Sequence, residues 1–533
     1  MASQNAASTD GHGDVHGTFL GHPKGLFMLF FAEMWERFSY YGMKALLMFY
    51  LTKHWLYSDE QSGLIFGAYI SLVYITPVMG GYLADRWLGQ RKAVQFGAVL
   101  LTFGHFLMGF EGNGRGDQMA LNLFWLALSF IIVGSGFLKA NISVIVGQLY
   151  PKRDVRLDGA YTIFYMGINL GAALGSALCG YIGETYGWSY GFGLAGFGML
   201  AGLAVFVLYR PLLLGHGEPD DPTLLRQRVL GVPLEGLIYL AATTAVGVIW
   251  VLIQYQDVIG LLLLVLGVLL VGYVLFTAVV RLERDARDRI FAALFLMLGS
   301  ILFWALFEQS GSSLNLYTDR HVDRAGVPAS VFQSINSVYI VLLAPAFAGL
   351  WTWLARHGLE PSTPTKFGLG IVQLGLGFLV LVWGAALGGE GSKTAVLFIF
   401  LIYLLHTTGE LCLSPVGLSA MNRLAPVHMA SLIMGTWFFA SAAGGFASGL
   451  IAAATGSDKA SGEGAAKQVV LDVYGQIGWI AVAAGVGVMV VAPMIARLMH
   501  PETMDDQTFD DDLLGQEEVG EPQAAGMNPQ TRP

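Results

Sequence analysis

The sequence is short of charge and almost lacks cysteine. Asp, Glu, Lys and Arg together supply 13% of its 533 residues, whereas hydrophobic residues supply 55% and the mean hydropathy is +0.59. This composition excludes a soluble globular domain and predicts a polytopic membrane protein. The two cysteines, Cys179 and Cys412, lie in apolar stretches, which excludes a disulfide framework and a cysteine metal site.

The two ends of the chain lack apolar segments. The first two dozen residues have no basic start followed by an apolar core and a cleavage site, so residues 1–24 are interpreted as a cytoplasmic segment and not as a signal peptide. The formal net charge of −9 arises almost entirely near the other end, where nine acidic residues fall between positions 502 and 521. Acidic segments of low hydrophobicity do not fold alone. Residues 498–533 are therefore predicted to form a disordered acidic cytoplasmic tail.

Long apolar segments are what the sequence has in abundance. Fourteen of them can cross a bilayer core of about 30 Å as helices, in the order six, two and six. They lie at residues 25–53, 62–84, 91–110, 120–147, 159–183, 190–209, 234–254, 259–282, 291–314, 330–354, 367–387, 394–423, 430–453 and 474–497. This order predicts an all-α fold with an N-terminal six-helix bundle, a cytoplasmic linker, a two-helix hairpin insertion and a C-terminal six-helix bundle. The predicted boundaries are 25–209, 210–233, 234–289 and 290–497.

Basic residues are concentrated on one set of the loops between these segments. Eighteen Lys and Arg residues fall on that set and seven on the other. Because such residues accumulate on the cytoplasmic side of a membrane, both termini are predicted to be cytoplasmic. Two six-helix bundles joined by a cytoplasmic linker are typical of transporters that bind substrate near the middle of the bilayer, between the halves.

The interior of the first apolar segment, from Leu26 to Leu51, contains four charged residues, Glu33, Glu36, Arg37 and Lys44. On a helix they share an arc of roughly 100° with Tyr40. A charge at this depth costs several kcal/mol, so such residues normally face a bundle interior or a wet cavity. The stripe predicts a site that binds charged groups and moves protons. Ion pairs that only hold helices together remain the alternative.

Three further ionisable residues, Lys139, Glu308 and Glu410, lie in the middle of apolar segments. Lys139, Glu410 and Arg37 are separated by the same number of residues from the nearest basic residue at the cytoplasmic end of their segments, so they lie at the same depth. Lys44 and Glu308 lie about 10 Å farther from that side, at 1.5 Å per residue. Depth and charge sign therefore predict two pairs, Lys44 with Glu308 and Lys139 with Glu410. Each pair joins the two halves, either as a gate or as a static link.

Two motifs resemble the signatures of the proton-dependent oligopeptide transporter family, within the major facilitator superfamily. The first, E-x-x-E-R-F-x-Y-Y-G, begins at Glu33, and the second, F-Y-M-G-I-N-L-G, begins at Phe164. A third motif, G-Y-L-A-D-R-W-L-G-Q-R-K from Gly81, resembles the loop between helices 2 and 3 of the wider superfamily. The resemblance extends over about residues 20–500 and implies the major facilitator fold with the extra hairpin of bacterial members.

The resemblance also implies roles for individual residues. A glutamate of helix 10, Glu410, would bind the amino end of a peptide, assisted by Asn169 and Asn336. The cations that would hold the carboxylate end are Arg37, Lys44 and Lys139. The other residues that match the pocket are Tyr40, Tyr41, Tyr74, Trp304, Trp437 and Ser441. Relatives more often have Arg at the position of Lys44, and because lysine lacks the bidentate guanidinium fork, a weaker grip on a carboxylate is expected.

The implied function is proton-coupled symport of di- and tripeptides across the bacterial inner membrane by alternating access. Protons would be the coupling ion, with no cofactor or metal. We expect a monomer in the lipid bilayer without a nucleic-acid partner. No His-Glu-x-x-His zinc motif or nucleophile elbow occurs, so an enzyme is not expected. The alternative is proton-coupled uptake of nitrate or of peptide-like drugs, although nitrate has no ammonium group and would not use Glu410.

Carboxylates are the predicted proton carriers. The charges deep within the apolar segments sum to −1, so one carboxylate has no cation of its own. They are Glu33, Glu36, Glu308 and Glu410 against Arg37, Lys44 and Lys139. Low dielectric and neighbouring acids favour the protonated form of a carboxylate. Glu36 is the first candidate, ahead of Glu33, because it lies nearer the layer of Arg37. Glu308 is the next candidate, since its protonation would release Lys44.

Overall fold

The structure is a computed structural model that describes residues 17–151, 154–219, 221–229, 231–389, 391–456 and 462–500. The described part is helical over most of its length. Most of the predicted N-terminal segment, before Gly17, and the predicted acidic tail beyond His500 lie outside the described residues.

The α-helices of the described part are α1 Lys24–Phe49, α2 Asp59–Leu83, α3 Gln90–Met108, α4 Gln118–Gln148, α5 Leu157–Tyr186, α6 Trp188–Leu208, α7 Pro222–Arg226, α8 Leu234–Leu252, α9 Gln256–Arg281, α10 Arg284–Phe307, α11 Ser313–His321, α12 Ser334–Arg356, α13 Thr363–Leu387, α14 Leu397–Leu424, α15 Ala430–Ala454 and α16 Glu463–Leu498. Its short strands are β1 Thr18–Phe19, β2 His22–Pro23, β3 Arg228–Val229, β4 Val232–Pro233, β5 Val322–Asp323 and β6 Thr394–Ala395. Strands β1 and β2 pair antiparallel, as do β3 and β4, and β5 pairs parallel with β6. All these strands are two residues long and lie before or between the long helices, so helices build the core.

The long helices follow the predicted order of six, two and six, with α10 and α11 in one segment and the short α7 in the linker. In the described part, twelve segments are long and apolar enough to cross a membrane. The two remaining long helices are α1, which carries the charged stripe, and α3, which begins beside Arg91 and Lys92. The mid-helix charges of α1 are buried inside the protein. The predicted all-α polytopic membrane fold is confirmed.

Small residues let the helices of each half approach closely. Gly171 and Gly175 of α5 face the α1 backbone at Met34 and Phe38, where a Cβ atom would overlap carbonyl oxygens. Gly375 of α13 meets the α16 backbone in the same way. Close backbone packing of this kind is how helices associate in a membrane, where lipid removes the hydrophobic driving force. It fixes α1, with its charged stripe, inside the N-terminal half.

The two halves meet at one end of the molecule. We call this end, where α1 ends and α2 begins, the distal side. The opposite end, where α1 begins and α16 ends, is the terminal side. On the distal side, Gly63 and Gly67 of α2 lie against the α15 backbone at Ala453 and Gly449. Helix α5 packs against α12 between the same halves. These contacts close the distal side.

The single apolar segment predicted at 291–314 is interrupted. Helix α10 ends at Phe307, a 3-10 turn follows, and α11 begins at Ser313. The side-chain amide of Gln309 donates hydrogen bonds to two carbonyl oxygens, one on α10 and one on α15. A break at membrane depth needs such partners, because no water is present to satisfy the backbone and side-chain polar groups. Glu308 lies in the turn at the break.

The hairpin predicted at 234–289 packs α8 against the N-terminal half and α9 against both halves, since α9 contacts α2 as well as α10 and α15. Helix α8 lies on the N-terminal half, where Lys92 Nζ is 2.7 Å from Glu235 Oε1 and Trp250 donates a 3.3 Å hydrogen bond to a carbonyl oxygen of α4. Helix α9 packs on α10 and α15 of the C-terminal half, and Gly260 lies against a phenylalanine of α15. The hairpin therefore extends across the boundary between the halves.

Candidate functional site

Three charged residues of α1 form a compact buried cluster. Arg37 Nε lies 2.6 Å from Glu33 Oε1 and 3.0 Å from Glu36 Oε2. This nitrogen carries a single hydrogen, which it donates to Glu33, so Glu36 is held there by charge. The helix itself creates the cluster, because positions i and i+4 lie on the same face. With all three groups ionised the cluster has one net negative charge, which a single proton would neutralise.

Lys44 and Glu308 form a buried ion pair between the halves. Lys44 Nζ lies 2.7 Å from Glu308 Oε2, and the two side chains are only 8% and 4% exposed. Gly311, which follows Glu308, approaches the Lys44 side chain and leaves no room for a side chain of its own. Lys44 belongs to the N-terminal half and Glu308 to the C-terminal half. The pair therefore has to break if the halves separate at this depth.

Tyrosines of α1 and α2 lie beside these charges. The rings of Tyr40 and Tyr41 pack edge to face, with 5.2 Å between their centres. Lys139 Nζ lies 4.1 Å from the centre of the Tyr74 ring, a distance at which the ring face attracts the ammonium. The hydroxyls of Tyr40 and Tyr69 are buried, and within the described part of the chain neither has a hydrogen-bond partner. Tyr69 of α2 adds to the predicted set of aromatic residues.

Glu410 and Asn336 form the other pole of the site. Asn336 Nδ2 lies 3.0 Å from Glu410 Oε2 and 3.0 Å from Thr407 Oγ1. Asn169, the second asparagine implied by the resemblance, instead donates to the carbonyl oxygen of Tyr165 in its own helix at 3.2 Å. Helices α12 and α14 thus bring a carboxylate, an amide and a hydroxyl together. Thr407 was not predicted, because a single threonine on an apolar helix carries no signal of its partner.

The other three residues that match the pocket lie on α10 and α15. Trp304 packs edge to face with Phe303 and Phe307, and its indole nitrogen has no hydrogen-bond partner among the described residues. Trp437 is 6% exposed and belongs to the hydrophobic core of the C-terminal half. Ser441 donates a 3.3 Å hydrogen bond to the Trp437 carbonyl oxygen. Trp304 therefore keeps a donor available, whereas the Ser441 hydroxyl is used within its own helix.

The pairing of Lys139 with Glu410 stays a prediction. The structure describes Lys139 in contact with Tyr74 and Glu410 in contact with Asn336. The contacts that join the halves lie on the distal side.

Two ion pairs of the distal side were not predicted. Arg320 of α11 holds Asp59 of α2 through two hydrogen bonds of 2.6 and 2.8 Å. Lys53, which follows α1, has its Nζ 2.8 Å from Asp319 Oδ2. Both pairs join the halves, as Lys44 does at greater depth. Arg320 and Asp59 are 261 residues apart and lie at polar segment ends, so no local pattern links them.

The site combines two poles of opposite charge at membrane depth. The cations Arg37, Lys44 and Lys139 belong to the N-terminal half, and the carboxylates Glu308 and Glu410 belong to the C-terminal half. Across the described residues, no group of three or more His, Cys, Asp or Glu side chains could hold a metal ion. The arrangement suits a zwitterion, whose ammonium and carboxylate need opposite partners.

Comparison with known proteins decides the family. The sequence model of the POT family matches residues 91–470. This chain belongs to the POT family. The peptide transporter YePEPT of Yersinia enterocolitica is 37% identical over 465 residues, which cover 81% of this chain and 88% of the relative. Dipeptide and tripeptide permease B of Salmonella typhimurium is 31% identical over 486 residues, which cover 90% and 97% of the two chains.

Solved POT structures share the architecture. A variant of a peptide transporter POT in complex with alafosfalin is 34% identical, with a TM-score of 0.77 over 91% of this chain and 97% of that one. A POT family transporter in complex with 5-aminolevulinic acid is 31% identical, with a TM-score of 0.75 over 90% and 98%. The chain is therefore a multi-pass membrane protein of the major facilitator type, as the sequence predicted, in a family of transporters.

Proposed function

We propose that this chain is a proton-coupled symporter that imports di- and tripeptides across the bacterial inner membrane by alternating access. The observation that carries the proposal is the pair of opposite poles at membrane depth, cationic on one half and anionic on the other. A peptide presents the complementary charges at its two ends. Relatives named as peptide transporters and as a dipeptide and tripeptide permease support the same function.

In the proposed complex, Glu410 binds the peptide ammonium together with Asn336, and the cations hold the peptide carboxylate. Arg37 and Lys44 already have carboxylate partners, so a peptide carboxylate competes with Glu33, Glu36 or Glu308 for them. Aromatic side chains around the poles offer area and few fixed hydrogen bonds. Such a pocket accepts many peptide side chains, because it recognises the two ends of the backbone.

The proton carriers in this proposal are Glu36, Glu33 and Glu308. A proton on Glu36 or Glu33 removes the net negative charge of the α1 cluster. A proton on Glu308 removes the attraction to Lys44, which frees the ammonium to bind substrate and lets the distal side open. Protons and peptide are then coupled, because protonation of a carboxylate releases the cation that the peptide carboxylate binds.

Orientation and assembly complete the proposal. The excess of basic residues on the terminal side supports a cytoplasmic location for both termini, so the distal side faces the periplasm. The closed distal side corresponds to a conformation that faces the cytoplasm. The proposal takes the chain as a monomer, with protons as the coupling ion.

Uptake by purified protein in proteoliposomes tests the function. A labelled dipeptide should accumulate above its external concentration only when the outside is acidic, and an ionophore that dissipates the proton gradient should abolish the accumulation. Lys139→Ala, which removes a cation of the proposed site, should abolish this gradient-driven uptake while the protein is still expressed. Accumulation of nitrate without accumulation of dipeptide would overturn the proposal.

A further inference from the structure

We propose that Thr407 is a positioning residue that turns the side-chain carbonyl oxygen of Asn336 toward the ammonium of the substrate. The inference rests on the proposed function, because it assigns a role within the amino-end site of Glu410. Thr407 itself is fully buried and does not need to touch the peptide.

The hydrogen bonds of Asn336 fix the orientation of its amide. The Nδ2 atom has two hydrogens, and the structure gives it two acceptors at 3.0 Å, Thr407 Oγ1 and Glu410 Oε2. With both hydrogens used on these partners, the carbonyl oxygen Oδ1 has to point away from them. Asn336 is only partly buried, and its Oδ1 makes no hydrogen bond to any described residue. A hydrogen-bond acceptor is therefore presented at an accessible position beside Glu410.

Thr407 is needed because Glu410 alone does not hold the amide in every state. An ionised Glu410 attracts the NH2 group, but a bound ammonium or a proton on Glu410 weakens that attraction. The Thr407 hydroxyl supplies a second acceptor that the substrate does not reach. It lies three positions before Glu410 on α14, so both partners face α12 from the same side of the helix.

The neighbouring threonine shows that this use of the hydroxyl is specific. Thr408 donates to the carbonyl oxygen of Leu404 in its own helix at 3.0 Å, as threonines in helices commonly do. Thr407 instead accepts from a different helix. The two threonines have the same side chain and adjacent positions, so Thr408 provides a matched control.

The arrangement makes a prediction about substrate chemistry. A peptide ammonium has three hydrogens, and Glu410 together with Asn336 Oδ1 offers two acceptors for them. A peptide with an acetylated amino end carries no ammonium and gains little from either acceptor. Loss of the amide orientation should therefore weaken binding of free peptides selectively.

The experiment compares Thr407→Val, Thr407→Ser and Thr408→Val in proteoliposomes. Valine keeps the shape of threonine and removes the hydroxyl, whereas serine keeps the hydroxyl. For a dialanine substrate we expect Thr407→Val to raise KM about tenfold with little change in kcat. The inhibition constant of N-acetyl-dialanine should stay within about twofold of wild type. Thr407→Ser and Thr408→Val should match wild type for both compounds.

The ratio between the two compounds is measured within one variant, so it does not depend on how much protein folds. An equal loss for both compounds in Thr407→Val would overturn the inference and make Thr407 a packing residue. Unchanged constants in that variant would overturn it as well. Failure of the proposed function is distinguishable, because the wild-type protein would then not transport dialanine at all.

Discussion

Helix α1 contributes to two buried charge clusters that differ in where the partners come from. Arg37 pairs with Glu33 and Glu36 of its own helix, whereas Lys44 pairs with Glu308 of the other half. Distances within one helix stay the same when the halves move. A pair that bridges the halves has to form and break with them. The first cluster is therefore suited to hold a proton. The second is suited to couple the arrangement of the two halves to the charge on Glu308.

The largest effect is expected from Arg37→Ala, which removes the only cation of the first cluster. Glu33 and Glu36 would remain buried beside each other, and breaking a buried pair in this way costs about 3–5 kcal/mol. We expect a clear fall in melting temperature in detergent together with loss of uptake. Arg37→Lys, which retains the charge, should recover most of the thermal stability. A stable Arg37→Ala protein would show that one of the two acids is already protonated in the resting state.

Glu36→Gln should abolish uphill accumulation and leave peptide exchange intact. The substitution fixes the neutral form of one acid, so the α1 cluster cannot release and rebind its proton. Counterflow of labelled against unlabelled dipeptide, measured without a gradient, should continue near the wild-type rate. Glu33→Gln is the control for the second acid of the cluster. Normal accumulation in both variants would show that neither acid carries the proton, which would leave Glu308 as the next candidate.

Glu308→Gln should shift the conformation, which Glu36→Gln should not do. Removing the charge leaves Lys44 buried without its partner and favours opening of the distal side, by about tenfold in the equilibrium or more. Spin labels at Tyr186 and Val327, exposed residues on the distal side of the two halves, would report the separation after replacement of the two cysteines.

The double variant Lys44→Gln with Glu308→Gln is the control for this shift. It has no unpaired charge, so the label distance should return toward that of wild type. Equal distances in the single variant and in wild type would mean that Lys44 and Glu308 do not control the distal side.

A smaller effect is expected from the bidentate pair of Asp59 and Arg320. Asp59→Arg and Arg320→Asp should each lengthen the distal separation, because each places like charges together. The double exchange should restore it, as the Arg320 side chain is partly exposed and the ends of α2 and α11 hold the two positions together. The same spin labels serve as the readout. No recovery in the double exchange would assign these residues to packing.

The smallest effect is expected from Lys53→Gln. Lys53 is 41% exposed, and exposed ion pairs contribute roughly 0–1 kcal/mol and are screened by salt. Initial uptake rates should change less than about twofold, and the difference from wild type should vanish in high salt. A large loss of uptake that salt does not remove would give Lys53 a role beyond the distal surface.

Much of the site could be predicted, because a bilayer makes every buried charge conspicuous. Glu33, Glu36, Arg37 and Lys44 stand out in an apolar segment, and their helical spacing places them on one face. Residues at segment ends give no such signal, since charge is ordinary there. Asp59 and Arg320 were therefore missed, although their contact joins the halves. Thr407 was missed because its partner is on another helix.

The sequence by itself determined the number and order of the membrane helices and the charges they bury. Helix length follows from the thickness of the hydrocarbon core, and the cost of burying charge at that depth turns those residues inward. These are local constraints, and each can be evaluated within one segment of the chain.

Only the tertiary structure decided which helices of the two halves contact each other. Helices α8 and α9 are both apolar, yet α8 packs on the N-terminal half and α9 contacts both halves. Composition does not predict this difference, because apolar surface packs equally well on protein and on lipid. The break after α10 and the contacts of the distal side likewise depend on residues 139 and 261 positions apart. Only the packed helices, held together by small residues and a few directed polar contacts, select these partners.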